Sequence, residues 1–194
     1  MMPDQIAFEF RSAFEDAQGW MFGHTAFRNG LHGDGWLEKG ALVRDPARLN
    51  LLLKHQATAI VKHFPQTELI VGIPACGAVV ASFVAAHLGL PLALTIPIDD
   101  QLEFYRMHLP KPGLKAVIVD DLIFSGNDAR AHLRFFESYG LEVLGISAWV
   151  SRVGTEITGI PVATLMPVPF QTFQASNCPL CAQAEAIRWQ DIRE

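Results

Sequence analysis

The chain has 194 residues, 50% hydrophobic and 18% charged, with 15 Gly and 12 Pro, a composition that suits one domain with a substantial apolar core and excludes a disordered chain. Fifteen Lys+Arg against 20 Asp+Glu give a net charge of -5, whereas a protein devoted to gripping nucleic acid carries a basic excess. Three cysteines cannot build a disulfide framework, and Met1-Met2-Pro3-Asp4 lacks the basic-then-apolar run of a signal peptide, so a cytoplasmic setting is expected.

Ile6, Phe10, Ala13, Phe14, Ala17 and Met21 recur at helical spacing and predict an amphipathic helix over residues 4–21, opened by Asp4. Glycines at 23, 30, 33, 35 and 40 break any helix in the next stretch, which reads as a small antiparallel excursion, a hood over about 20–43. Asp45-Pro46 is an N-cap followed by proline at the first helical position, and that helix should run to about His63. From Leu69 to Ile98 there is no Asp, Glu, Lys or Arg, a run long enough to span a bilayer. Gly72, Pro74, Gly77, Gly89, Pro91 and Pro97 cut it into a strand at Leu69–Gly72, a helix over 77–88 and a strand over 91–96. That is the pattern of a strand–helix–strand unit buried in a parallel sheet rather than of a membrane span.

Residues 98–113 are polar and read as a loop or loose hairpin. Ala116–Val119 is a strand ending at Asp120-Asp121, 126–139 a helix stopped by Gly140, and Val143–Val150 the next strand. A short strand near Val162–Leu165 and a C-terminal helix over about 179–193 complete the chain. Alternating strands and helices predict one α/β domain over 1–194: a mostly parallel sheet flanked by helices (core about 45–170) with the small N-terminal hood.

Ligands in such sheets sit beyond the carboxyl ends of the strands. Two ends stand out: Gly72–Ala78, and Val117–Asp128, where an apolar strand runs into two carboxylates, a Ser-Gly turn and a helix. The first helix turn offers unpaired N–H groups and the positive end of the dipole, an anion site, while the carboxylates suit sugar hydroxyls or a divalent ion. Taken alone, the acidic pair reads rather as a plain strand end and the start of a turn, since acidic pairs at strand ends are common.

In this context Val117–Asp128 resembles the ribose-phosphate signature of the type I phosphoribosyltransferases: four apolar residues, two acidic, two apolar, Thr-Thr/Ser-Gly, a variable residue, then Ser or Thr. Within that family the chain most resembles the orotate phosphoribosyltransferase group. Gly30–Lys39 is similar to that group's hood segment, and Pro74–Ala78 to its Pro-Ala-x-Gly-Gly pyrophosphate loop. The resemblance covers roughly residues 20–165. It implies Mg²⁺-dependent transfer of a phosphoribosyl group from 5-phosphoribosyl 1-pyrophosphate to a nucleobase, with an orotate-like acceptor, in a homodimer. Asp120 and Asp121 would bind the ribose hydroxyls, with Mg²⁺ near them through substrate and water, and their charge would stabilise an oxocarbenium-like transition state. Phe124, Ser125, Gly126, Asn127 and Asp128 would hold the 5-phosphate; Ala75, Cys76, Gly77 and Ala78 would hold the pyrophosphate. Arg152 and Lys39 are the candidates for the acceptor base, and each has a plain surface role as its alternative; for Lys39 the pyrophosphate is a second possible target. Arg106 and Lys111, with His108, are the candidates for the mobile loop that closes over the pyrophosphate.

Three departures motivate a second reading. Phe124 stands where the pattern has Thr, Asp128 where it has Ser or Thr, and residues 99–113 supply few cations where orotate enzymes carry a long basic loop. A non-catalytic sensor that binds a nucleotide or sugar phosphate on the same fold would account for them.

Cys178-Pro179-Leu180-Cys181 has zinc-knuckle spacing, but one pair is half a site. Cys76 or a histidine would have to come from afar to complete it, and two free thiols capping the C-terminal helix are the alternative. His24, His32 and Asp34 offer metal-binding side chains in the hood, where the resemblance favours a substrate-facing loop instead. The remaining histidines, His55, His63, His87 and His132, are expected at the surface or its boundary.

Overall fold

The structure, a computed structural model, describes residues 3–99, 101–106 and 109–192. Its elements run α1 (Pro3–Asp16), β1 (Trp20–Phe27), β2 (Leu31–Leu37), α2 (Lys39–Val43), α3 (Pro46–His63), β3 (Leu69–Gly72), α4 (Cys76–Leu88), β4 (Leu92–Ile98) and β5 (Gln101–Phe104). They continue with β6 (Lys115–Val119), β7 (Leu122–Ile123), α5 (Asn127–Tyr139), β8 (Glu142–Ala148), β9 (Val150–Ser151), β10 (Glu156–Ile157), β11 (Ile160–Thr164), β12 (Thr172–Gln174), α6 (Pro179–Ala182) and β13 (Trp189–Ile192).

Among the described residues, seven strands form the main sheet in the order β10-β11-β8-β6-β3-β4-β5. The five inner strands pair in parallel, and β5 and β10 close the edges antiparallel. Both faces are covered, and the period-2 pleat sorts the apolar run between them. Ile70, Val117 and Val119 face the cluster made with α1, α3 and α4, around Phe10, Phe14, Leu53 and Trp149. Leu69, Val71, Ala116 and Ile118 face the opposite cluster, with Leu133 and Phe136 of α5. Among the described residues no helix is long and apolar enough to cross a membrane. The charge-free stretch 69–98 is β3, α4 and β4, as its breakers suggest.

Asp45 caps α3 as expected, its carboxylate accepting from Arg48 N at 3.1 Å, with Pro46 in the first turn. The first helix ends earlier than its periodicity predicts. Gln18 turns at φ 57°, and Gly19 packs so closely on the hood that a Cβ there would lie 2.8 Å from Ala41 Cβ. Trp20 and Met21 therefore enter β1.

The hood is antiparallel at β1/β2 but is not confined to 20–43. It is a four-stranded sheet, β12-β2-β1-β13, with two strands supplied by the far end of the chain. The expected C-terminal helix over 179–193 is corrected accordingly: α6 stops at Ala182, and Ala184 turns at φ 54°. β13 then pairs in parallel with β1, Thr25 opposite Trp189. A four-residue helix has little stability of its own, and the open edge of β1 offers unpaired N–H and C=O groups.

Candidate active site

The chain leaves β3 for β4 in one direction along the sheet and leaves β6 for β8 in the other, so the crevice between the carboxyl ends of β3 and β6 is the point where strand order reverses. Asp120 and Asp121 stand there at the end of β6. Asp120 N donates to Ser147 O at 3.0 Å and Trp149 N to Asp121 O at 2.9 Å, which fixes the pair's backbone to the neighbouring strand. Asp121 N donates to Asp120 Oδ1 at 2.9 Å. Burial first, and then the charge of Asp121, raises the Asp120 carboxyl well above the usual carboxylate range.

Gly77 lets the loop after β3 approach this pair. A Cβ at Gly77 would lie 2.6 Å from Asp120 Oδ1, inside any real contact. Of the four predicted pyrophosphate-loop residues, Ala75 is the N-cap of α4, while Cys76, Gly77 and Ala78 form its first turn. Ala75 makes no side-chain cap bond, which leaves the first N–H groups of the helix without an intrahelical partner. The Cys76 thiol is pushed up to about 12 by burial and by the charge of Asp121, which disfavours the thiolate.

The predicted phosphate loop leads into the second helix terminus. Gly126 is the N-cap of α5 at φ 72°, a conformation that favours glycine, and being glycine it makes no side-chain cap bond of its own. Asn127 N donates to Ser125 Oγ at 3.3 Å, and Arg130 Nη1 to Ser125 O at 2.9 Å. Phe124 to Ala129 line a cavity of about 440 Å³ together with Asp120, Phe27, Arg28 and Asn29. Asp128 is exposed in the first turn of α5.

Lys39, at the start of α2, lies across the acidic pair, its Nζ 2.9 Å from Asp121 Oδ2. Burial works to lower this ammonium, but the charge and hydrogen bond of Asp121, with Cys76 and Asp120 behind them, outweigh it and raise it. Lys39 also lines two smaller cavities. One is shared with Arg152, Phe124, Trp36 and Phe170, and the other with Ala75 and Cys76. It therefore sits between the candidate acceptor side and the candidate pyrophosphate side. The Arg152 guanidinium lies 4.6 Å from the Phe124 ring centroid and 5.9 Å from that of Phe27, and it donates to Thr172 Oγ1. Phe124 thus gives up the threonine hydroxyl of the pattern and supplies an aromatic shelf for this arginine.

The other predicted cations are not brought to the crevice. Lys111 lies between Pro110, whose carbonyl accepts from Tyr139 Oη at 2.9 Å, and Gly113, whose N–H donates to Gly140 O at 2.7 Å. Tyr139 and Gly140 end α5, so Lys111 stands at the end of the sheet opposite Asp120, and its assignment to a closing loop is corrected. Arg106 is exposed and lines neither the Asp120 cavity nor the Lys39 cavities; His108 lies outside the described residues. The connection after β4 is a tight hairpin, with Ile98 opposite Gln101.

Two buried polar residues outside the predicted site set hold the site in place. Gln56 of α3 is fully buried; its Nε2 donates to Ser147 O at 3.1 Å and Asp120 O at 3.4 Å, while Trp149 Nε1 donates to its Oε1 at 3.1 Å. The signal was a polar residue on the apolar face of an amphipathic helix. His132, expected at the surface or its boundary, is buried on the inner face of α5. Its Nδ1 donates to Asp128 O at 2.7 Å, which leaves Nε2 to accept from Thr95 Oγ1 at 2.9 Å. The residue lies on the same helix face as Ala129, Leu133 and Phe136.

Cys178 and Cys181 stand beside His24 and His32 in the hood, outside the cavities at Asp120 and Lys39. Neither sulfur caps α6, for the N-cap Cys178 makes no side-chain cap bond. Asp34 is not in that group; its Oδ1 accepts from Gln171 N at 2.7 Å.

The acidic pair is suited to Mg²⁺, which prefers hard oxygen ligands and binds through one or two carboxylates plus substrate phosphates. Asp121 Oδ2 is matched by Lys39, so Asp120, which lines the larger cavity, is the carboxylate available to the ion. A dication there would offset the charge of Asp121, which after burial is the next cause of the raised Asp120 carboxyl.

No family model matches the sequence. The orotate phosphoribosyltransferase of Methylorubrum extorquens is 30% identical over 183 residues, covering 92% of this chain and 90% of that protein. That of Carboxydothermus hydrogenoformans is 26% identical over 176 residues, covering 90% and 92%. The fold is that of the crystal structure of orotate phosphoribosyltransferase from Aeropyrum pernix, with a TM-score of 0.71 at 16% identity over 81% of this chain and 92% of that one. The chain belongs to the orotate phosphoribosyltransferase-like group of the type I phosphoribosyltransferases, a class of transferase enzymes.

Proposed function

We propose that the protein transfers the phosphoribosyl group of 5-phosphoribosyl 1-pyrophosphate to a nucleobase, with orotate as the acceptor. One observation carries this reading: the N-termini of α4 and α5, whose cap residues Ala75 and Gly126 make no side-chain bond, flank an acidic pair at the sheet's reversal point. In this reading the N–H groups at Ser125–Asp128 take the 5-phosphate, and those at Cys76–Ala78 take the pyrophosphate. Asp120 and Asp121 accept hydrogen bonds from the ribose 2- and 3-hydroxyls. As the C1–O bond breaks, its electron pair leaves with pyrophosphate, and the positive charge that develops at C1 is stabilised by the carboxylates. A base nitrogen then bonds to C1 and gives up its proton. Asp120 and the substrate oxygens would hold Mg²⁺, which when bound would supply charge neutralisation on the leaving group. Arg152, braced on Phe124 and Thr172, offers a planar donor pair to an acceptor carboxylate.

The test is incubation with phosphoribosyl pyrophosphate, Mg²⁺ and a panel of orotate, uracil and purines, with pyrophosphate release as the readout. Release with orotate, lost in Asp120→Asn, is expected; no release with any base from folded protein removes the catalytic claim. A second reading, binding without transfer, draws on the tight β4–β5 hairpin and the position of Lys111. Calorimetric binding of a nucleotide without pyrophosphate release would favour it. The homodimer and the cytoplasmic setting belong to the same proposal, and light scattering tests the first.

A further inference from the structure

His24, His32, Cys178 and Cys181 come from three separate places in the chain: β1, the start of β2, and the turn around α6. One ligand atom of each lies within 4.8 Å of all the others. His24 Nε2 is 2.9 Å from His32 Nδ1 and 3.6 Å from each sulfur, and Cys181 Sγ is 3.3 Å from His32 Nδ1. A tetrahedron with Zn–N of about 2.0–2.1 Å and Zn–S of about 2.3 Å has edges of roughly 3.3–3.8 Å, so these separations need only tenths of an ångström to reach it. From this convergence we propose that the four side chains form a structural Cys₂His₂ zinc site.

The surroundings support ligation rather than chance contact. His24 Nδ1 lies 2.8 Å from Glu185 O. A carbonyl only accepts, so the proton is on Nδ1 and the Nε2 lone pair faces the other three groups. This is the outer hydrogen bond that orients a metal-bound histidine. His24 and Cys178 are buried, and both cysteines are free thiols. Two nitrogens and two sulfurs in tetrahedral reach select Zn²⁺ over the hard cation suited to the acidic pair.

The site also accounts for how the end of the chain is held. Between Gln171 and Ile192 only Cys178 is buried, and α6 is a single short turn, so apolar packing contributes little there. A zinc ion would staple this segment to β1 and β2, the strands that lead into Lys39. Binding free energy at such a site is folding free energy.

The experiment uses the full chain, purified in reducing buffer without a metal-affinity tag. Elemental analysis should find about one zinc per chain. After exchange into Co²⁺ the protein should show the intense visible bands of a tetrahedral ion and thiolate-to-metal charge transfer. Cys181→Ser and His32→Gln should each lose the metal, whereas Cys76→Ser, away from the cluster, should keep it. Removing zinc with a chelator should lower the melting temperature of the wild type, and adding it back should restore it. Folded wild-type protein that holds no zinc and melts alike with and without it would overturn the assignment, as would a Co²⁺ spectrum without thiolate bands. These readouts on the unmutated chain decide the matter even if a variant fails to fold.

Discussion

Lys39 Nζ and Asp121 Oδ2 meet at 2.9 Å with the carboxylate almost fully enclosed, and this contact ties the hood to the carboxyl end of the main sheet. Removing one partner of such a pair leaves the other charge desolvated, whereas removing both is far less costly. Lys39→Met should lower stability in urea unfolding by about 1–3 kcal/mol, and adding Asp121→Asn should recover most of the loss. The ammonium is raised in the folded state, so its contribution is complete below the unfolded value of about 10.4 and is lost as pH rises through the folded one. The deficit of Lys39→Met should therefore hold steady from neutral to mildly alkaline pH and shrink above it. Simple additivity of the two single losses in the double variant would refute the pairing.

Asp120 carries the opposite burden. Its carboxyl is raised by burial and by Asp121. The stability linked to it is complete below the unfolded value of about 3.9 and is lost as pH rises through the raised folded value. Each unit of upward shift then costs about 1.4 kcal/mol at neutral pH. Asp120→Asn should be more stable than wild type at pH 7, with the difference closing toward pH 4, while transfer is abolished. Equal stability of the two proteins across that range would show that the acidic pair is not strained in the free protein.

His132 titrates in the other direction. Burial lowers its imidazole below the ordinary histidine value, against the opposing pull of Asp128. Its contribution is complete above the unfolded value of about 6.5 and is lost as pH falls through the depressed folded one. Wild type should lose melting temperature on acidification from pH 7.5 to 5 more steeply than His132→Leu. At neutral pH the variant, having lost the bond to Thr95, should be about 1 kcal/mol less stable. Parallel pH profiles would assign the acid sensitivity to other groups.

Much of this was legible because the signals were local. The charge-free stretch with its glycine and proline breaks gave β3, α4 and β4, and the Asp45-Pro46 cap gave α3. The acidic pair before a Ser-Gly turn marked the crevice. What escaped depended on contacts between distant segments. Nothing near Pro179 indicates that residues 189–192 add a strand to β1, and the cysteine pair does not reveal that His24 and His32 stand opposite. Gln56 escaped because an amphipathic pattern counts apolar positions and passes over the one polar residue among them. Lys111 was misplaced because proximity in sequence to the strand edge says nothing about which end of the sheet the chain returns to.

Asp128 is where the family pattern and this chain differ most sharply in charge. It stands in the first turn of α5, past the cap residue Gly126, and it lines the cavity at the α5 terminus. A carboxylate there favours the helix dipole but opposes a bound phosphate. Two unit charges about 4 Å apart at an effective dielectric of about 20 repel by roughly 4 kcal/mol, and the exposure of Asp128 makes that an upper bound. Asp128→Thr removes the repulsion and restores a hydroxyl donor at the position where the pattern has one. Calorimetric titration with phosphoribosyl pyrophosphate and Mg²⁺ should show at least about tenfold tighter binding, equivalent to about 1.4 kcal/mol. Asp128→Asn, which removes the charge without adding the hydroxyl, should recover a smaller part of the gain. The His132 contact is made to the Asp128 carbonyl rather than to its carboxylate, so neither substitution should disturb it. Unchanged affinity in both variants would mean that the carboxylate turns out to solvent when the anion binds, and the repulsion would have to be abandoned.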